Sequence, residues 1–120
     1  MRQAAAGAAR LAVVPVTLRA ADLAALASNA TRACALLKAL ANEVRLMLVC
    51  QLAEGEKSVG ELQDIVALSQ SAVSQHLALL RTHKLVATRR DGQSVYYRLA
   101  SGAAAAVIQT LHDQYCGKRR

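Results

Sequence analysis

Three side chains in this 120-residue sequence carry a thiol: Cys34, Cys50 and Cys116. A thiolate is a nucleophile, a metal ligand and the reduced half of a redox couple, so these positions bound the covalent chemistry open to the chain. They form no Cys-x-x-Cys pair. Three cysteines without a convincing export signal do not make a disulfide scaffold; in a reducing compartment they serve packing, metal binding or redox sensing. No paired carboxylates, phosphate-cradling loop or Ser-His-Asp set accompanies them, so an enzyme, such as a thiol peroxidase or a sulfurtransferase, is not expected.

The three thiols sit in different company. Cys50 ends the apolar run Leu46-Met47-Leu48-Val49, and apolar surroundings raise a thiol pKa and slow its reaction with general oxidants. Cys116 falls at the C-terminal end of the last predicted helix, where the dipole disfavours a thiolate; Lys118, Arg119 and Arg120 offset this. His112, one turn earlier, reads as a solvent-facing residue. Cys34, in a Thr-Arg-Ala-Cys-Ala context, reads as a small packing residue.

A second chemistry is non-covalent. Gln70, Ser71, Ser74 and Gln75 place short donors and acceptors on one helical face, opposite the apolar stripe Val73, Leu77 and Leu80. Such side chains suit base edges in a major groove, and Gln can bond adenine bidentately. Arg81 and Lys84 follow at the far end of that helix, and Arg89 and Arg90 come soon after, in reach of phosphates. His76 on the same helix reads as a partly buried packing or capping residue rather than a metal ligand.

Charge agrees with a polyanionic partner. The net charge is +7, and it is uneven: residues 1–68 hold seven basic and six acidic side chains, residues 69–120 eight and two. Aromatic residues are 2% of the chain, with no Trp and no Phe, which excludes a base-stacking platform for single strands.

These side chains need elements to hold them. Leu23, Leu26, Ala30, Ala33 and Leu37 recur at helical steps and predict one helix over 20–40. Asn42 fits a cap for a second helix, 43–53, apolar nearly all round and stopped by Gly55. Ser58 with Glu61 forms a capping box for a short third helix through Leu62, Ile65 and Val66. Ser69 caps the polar-faced helix, which runs to about His83. Asp91-Gly92 between two β-prone runs, 85–90 and 93–99, signals a hairpin. Ser101 or Gly102 starts a last helix with the stripe Ala104, Val107, Ile108, Leu111 and Tyr115, ended by Gly117.

The order is that of a winged helix-turn-helix: mainly α, with a β-hairpin wing. The last helix carries more apolar surface than so small a domain can bury, so a homodimer through the first and last helices is expected. The expected organisation is a loose N-terminal extension at 1–19, a DNA-binding and dimerisation domain at 20–117, and a basic tail at 118–120. Arg10 interrupts the early apolar stretch and no run reaches the length of a membrane span, so the expectation is a cytoplasmic protein without membrane contact.

The run Leu36-Leu37-Lys38-Ala39-Leu40-Ala41-Asn42-Glu43-Val44-Arg45-Leu46 resembles a segment of the ArsR-type bacterial repressors. Leu68-Ser69-Gln70-Ser71-Ala72-Val73-Ser74-Gln75-His76-Leu77-Ala78-Leu79-Leu80-Arg81 is similar to their recognition helix. Leu85-Val86, Arg90-Asp91-Gly92-Gln93 and Val95-Tyr96-Tyr97-Arg98-Leu99 are similar to their wing. The resemblance covers about residues 31–116. It implies a homodimer on a partly palindromic double-stranded operator, released by an inducer.

Many such repressors sense metals, but two common metal signatures are missing. The third predicted helix, Ser58-Val59-Gly60-Glu61-Leu62-Gln63-Asp64, has no Cys. The last helix offers His112, Asp113 and Cys116 without paired His spacing. No metal or other cofactor is therefore expected. Cys50 and Cys116, with Leu52-Ala53-Glu54-Gly55 and Gln114-Tyr115 beside them, resemble the BigR/SqrR subgroup. That resemblance implies a dithiol sensor of persulfides or polysulfides, whose thiols become linked directly or through extra sulfur. A metal-responsive or a general redox-responsive repressor is the alternative.

Overall fold

The computed structural model describes residues 14–117. Expectations about the Arg2 and Arg10 arm, and about the tail Lys118-Arg119-Arg120, lie outside the described residues. Among the described residues, six helices and three strands follow in the order α1 (Ala20–Ser28), α2 (Ala30–Leu40), α3 (Glu43–Glu54), β1 (Lys57–Ser58), α4 (Val59–Val66), α5 (Gln70–Thr82), β2 (Val86–Asp91), β3 (Ser94–Leu99) and α6 (Gly102–Tyr115). The chain divides into two compact units, Met1–Ala30 and Thr31–Arg120.

In the first unit, α1 buries none of its residues. Asp22 accepts from Arg19 N and Nε, each at 3.1 Å, which places a carboxylate at the positive end of the helix. The single helix expected over 20–40 is broken at Asn29. Ser28 Oγ donates to Ala25 O at 2.9 Å, and Asn29 Nδ2 donates to the same oxygen at 3.0 Å. Both side chains thus compete for helix carbonyls, and periodicity alone does not register that competition.

The second unit is built around α3. Its start follows from local chemistry: Asn42 Oδ1 accepts from Arg45 N at 3.0 Å. Arg45 then reaches back across the corner, its Nε donating to Ala39 O at 2.6 Å and its Nη2 to Lys38 O at 3.2 Å. These are end carbonyls of α2, so one residue closes the end of one helix from the first turn of the next. Leu48, Val49 and Leu52 of α3 are buried, Leu46 and Cys50 half-buried, and Met47 is exposed. One helix therefore packs on several neighbours: α4, α5, α6 and β3.

The capping box of α4 forms as expected. Ser58 Oγ accepts from Glu61 N at 3.1 Å, and Glu61 Oε1 accepts from Ser58 N at 2.8 Å. That backbone bond to Ser58 holds the Glu61 carboxyl below its ordinary 4.5. A depressed carboxyl stabilises the fold above its unfolded pKa and loses that contribution as pH falls through the folded value. Glu61→Gln is therefore expected to flatten stability against pH below about 4.5, measured by urea unfolding at several acid pH values. An unchanged acid slope would refute it.

Ala67, at φ 55° and ψ 45°, makes the left-handed turn from α4 into α5. Ser69 Oγ accepts from Ala72 N at 3.1 Å and starts α5. Val73, Leu77 and Leu80 are fully buried, as their spacing predicts. At the other end Leu85 N donates to Leu80 O and Lys84 N to Arg81 O, each at 2.9 Å, with Lys84 at φ 61°. This is a Schellman closure with Lys84 where glycine is usual; Leu85 packs beside Leu80 in the core.

The sheet has the order β1-β3-β2, antiparallel throughout. The hairpin register pairs Asp91 with Ser94, so the turn residues are Gly92 and Gln93, one step later than expected. Gly92 has φ 64° and Gln93 is not at positive φ, the pattern of a type II′ turn. The third strand, β1, is two residues long and is not signalled by any alternation. Ser101 Oγ accepts from Ala104 N at 3.0 Å to start α6, and Gly117 follows its end at φ 76°.

Candidate functional site

Helices α4 and α5 pack together through the Ala67 turn as a helix-turn-helix. Gln70, Ser71, Ser74 and Gln75 are all exposed on α5; Ser71 and Gln75 lie on the side away from Val73, Leu77 and Leu80, Ser74 lies on the flank, and Gln70, seven residues before Leu77, stands over the stripe at the open first turn. His76 is half-buried, in keeping with a packing residue. Arg81 and Lys84 are exposed at the far end of α5, and Arg89 and Arg90 are exposed on β2. Among the described residues, Arg81, Lys84, Arg90 and Arg98 make no ion pair. Arg89 differs: its Nη2 lies 2.7 Å from Glu56 Oε1. A polar helix face is thus flanked by uncommitted cations on the helix end and on the wing.

The thiols lie on other elements: α2, α3 and the end of α6. Cys50 lies on α3, half-buried against the core. Cys116 is exposed and caps α6, its backbone N donating to His112 O at 2.8 Å. Helices α3 and α6 pack against each other. Burial pushes the Cys50 thiol above its ordinary 9.0, and the charge of Cys116 pushes it further the same way. All three cysteines are free. Cys34 is exposed in this chain, not packed within it, because the face of α2 that carries it lies away from Ala39 and Leu40. His112 is exposed and has Asp113 at 3.6 Å. No group of three or more His, Cys, Asp or Glu suited to a metal is found among the described residues.

Residues 42–88 match the family model described as bacterial regulatory protein, arsR family. The chain is 52% identical over 88 residues to the transcriptional activator HlyU of Vibrio cholerae, covering 73% of this chain and 82% of that protein. The chain belongs to the ArsR family. A second relative, the biofilm growth-associated repressor of Agrobacterium fabrum, is 42% identical over 102 residues, 85% of this chain and 87% of that one. The crystal structure of the transcriptional repressor BigR from Xylella fastidiosa superposes with a TM-score of 0.73 at 41% identity, covering 78% of this chain and 95% of that chain. This ArsR-family chain is therefore a winged-helix transcriptional regulator. The comparison also gives the corner Asn42 to Arg45 a meaning: it opens the matched segment, and its side chains join α2 to α3 ahead of the helix-turn-helix.

Three features were missed from sequence. Glu56 and Tyr96 engage Arg89, but Glu56 is 33 residues away in the chain, beyond any local spacing rule. Lys84 takes a left-handed backbone without being glycine. Arg45 serves a neighbouring helix rather than its own. For the last, an Arg at the third position after a cap, just beyond a helix end, is the signal available.

Proposed function

We propose that this regulator is a dithiol repressor: reduced, its homodimer holds operator DNA, and bridging of Cys50 and Cys116 by reactive sulfur releases it. The observation that carries the reading is the packing of α3, which holds Cys50, against α6, which Cys116 caps. Two relatives whose names call them repressors add to it. Tyr115, at 84% exposure on α6, supports an apolar interface between two copies, and α1 in its own unit exposes Leu23 and Leu26.

The chemistry starts at the accessible sulfur. Cys116 thiolate attacks the sulfane sulfur of a low-molecular-weight persulfide RSSH; RSH leaves, and Cys116 carries –SSH. Attack by Cys50 on Cys116 Sγ expels hydrogen sulfide and leaves a direct disulfide. Alternatively a second RSSH first caps the persulfide as Cys116–S–S–SR with loss of hydrogen sulfide. Cys50 then attacks the middle sulfur and expels RSH, leaving one sulfur between the two Sγ atoms. Each route oxidises the two thiols and reduces the persulfide. A direct link needs Cα atoms within about 7 Å, whereas an inserted sulfur spans more.

Helix α3 touches both α4 and α5, so a staple from α3 to α6 acts on the reading heads. Half-sites one helical turn, about 34 Å, apart demand fixed spacing between the two recognition helices. Differential coupling of about 1–3 kcal/mol lowers affinity roughly 5- to 150-fold.

The test treats reduced protein separately with persulfide, peroxide and oxidised glutathione, reading peptide masses and operator binding on the same samples. Release by persulfide with a Cys50–Cys116 bridge is expected; release without that bridge refutes the reading. In the same assay, Gln75→Ala should cost about 1–3 kcal/mol on the operator and relax preference at one base pair. Loss spread evenly over all sequences would make Gln75 a backbone contact instead.

A further inference from the structure

Arg89 leaves β2 and reaches across the sheet. Its Nε donates to both Glu56 carboxylate oxygens at 2.9 Å, and its Nη2 lies 2.7 Å from Oε1. Its guanidinium carbon lies 4.6 Å from the centroid of the Tyr96 ring. Asp91 adds a longer approach, 3.9 Å from Nη1. Tyr96 is the register partner of Arg89 on β3 and of Ser58 on β1, and Glu56 immediately precedes β1. One side chain thus spans all three strands on a single face of the wing. The guanidinium holds the Glu56 carboxyl below its ordinary range, so the pair is ionised at neutral pH.

The fork that grips a carboxylate is the same fork that grips a phosphate. While Glu56 holds the Nε–Nη2 edge, only the Nη1 end of Arg89 is left to DNA, and Asp91 Oδ2 lies 3.9 Å from that nitrogen. Exposed ion pairs add little stability, so the consequence of this one is directional: it fixes the hairpin against the corner between α3 and β1. Arg90, the next residue, alternates to the other face of the strand, is exposed and makes no ion pair among the described residues.

We infer that Arg89, Tyr96 and Glu56 form a clamp that aims the wing, with Arg89 a positioning residue held by Glu56, and that Arg90 makes the wing's phosphate contact. The inference rests on the DNA-binding reading above. It assigns Arg89 a role different from the phosphate contact expected from sequence.

The test is operator affinity of the reduced full chain over a range of salt. Each phosphate contact contributes about 0.9 to the slope of log affinity against log salt. Arg90→Gln should lower the slope by about that amount. Arg89→Gln, Arg89→Lys and Glu56→Gln should each weaken binding about three- to ten-fold with the slope unchanged, and the double variant E56Q/R89Q should be no weaker than R89Q. The sign for Glu56→Gln is decisive, because removing an acidic group beside DNA otherwise tightens binding. Tighter binding by E56Q, a lower slope for R89Q, or no change in either overturns the clamp. Exchange of the Arg89 Nε–H in nuclear magnetic resonance reads it without DNA: slow in the parent chain and fast in E56Q supports the clamp, fast in both overturns it. Absence of salt-dependent binding by the parent chain would instead defeat the DNA-binding reading alone.

Discussion

Cys116→Ser is expected to bind the operator as the reduced parent does and to stay bound when persulfide is added. Serine removes the accessible nucleophile but keeps the size of the side chain, and Cys116 is exposed, so packing is unaffected. Cys50→Ser should lose the response too, by a different route: Cys116 can still take up sulfur, but nothing closes the bridge. A mass increase at Cys116 without release is its signature. The parent should lose affinity roughly 5- to 150-fold. Because burial and the neighbouring charge both raise the Cys50 thiol above its ordinary 9.0, its thiolate is scarce at neutral pH, and closure should quicken as pH rises. Persulfide-driven release of either serine variant from DNA, followed by anisotropy, would remove the pair as the switch.

Leu77→Ala is expected to cost about 2–5 kcal/mol, because it empties a fully buried site at the centre of α5. Typical domains hold about 5–15 kcal/mol in all, so this single change consumes much of the margin. For a domain of this size the midpoint of thermal unfolding falls by roughly 8–40 °C, at about 4–8 °C per kcal/mol. The comparison is Leu79→Ala, two residues on: Leu79 is 37% exposed, and its loss should stay within about 1 kcal/mol. Circular dichroism at matched protein concentration reads both. Equal effects at the two positions would mean that α5 does not pack as described.

Local chemistry explains which elements were legible. Asn42, Ser58, Ser69 and Ser101 each accept from a backbone N–H three residues on, and that spacing is visible in sequence. The polar face and inner stripe of α5 follow from the same periodicity. The misses share a cause of their own. Ser28 and Asn29 break a periodic run through one side-chain bond each to the same carbonyl, which no hydropathy pattern carries. Strand β1 exists because β3 offers it an edge, not because Lys57 and Ser58 prefer to be extended. The turn slips by one residue because register is settled by pairing along the whole hairpin, Val86 with Leu99 through Asp91 with Ser94. For the site, the exposed polar side chains of α5 and the cations were legible by type. Which cation is already engaged was not, since Glu56 and Arg89 meet only in three dimensions.

In the proposed dithiol switch, the position of Cys50 separates trigger from machinery. Along α3, Leu48, Val49 and Leu52 are sealed inside and answer to four neighbouring elements at once, so replacements there are felt throughout the fold. Cys50 sits at the edge of that core, partly buried, whereas Cys116 at the end of α6 is exposed. Side chains at such a rim can be exchanged for others without repacking the interior. A regulator laid out in this way can acquire a different stimulus by changing two peripheral residues while its grip on the genome stays as it was.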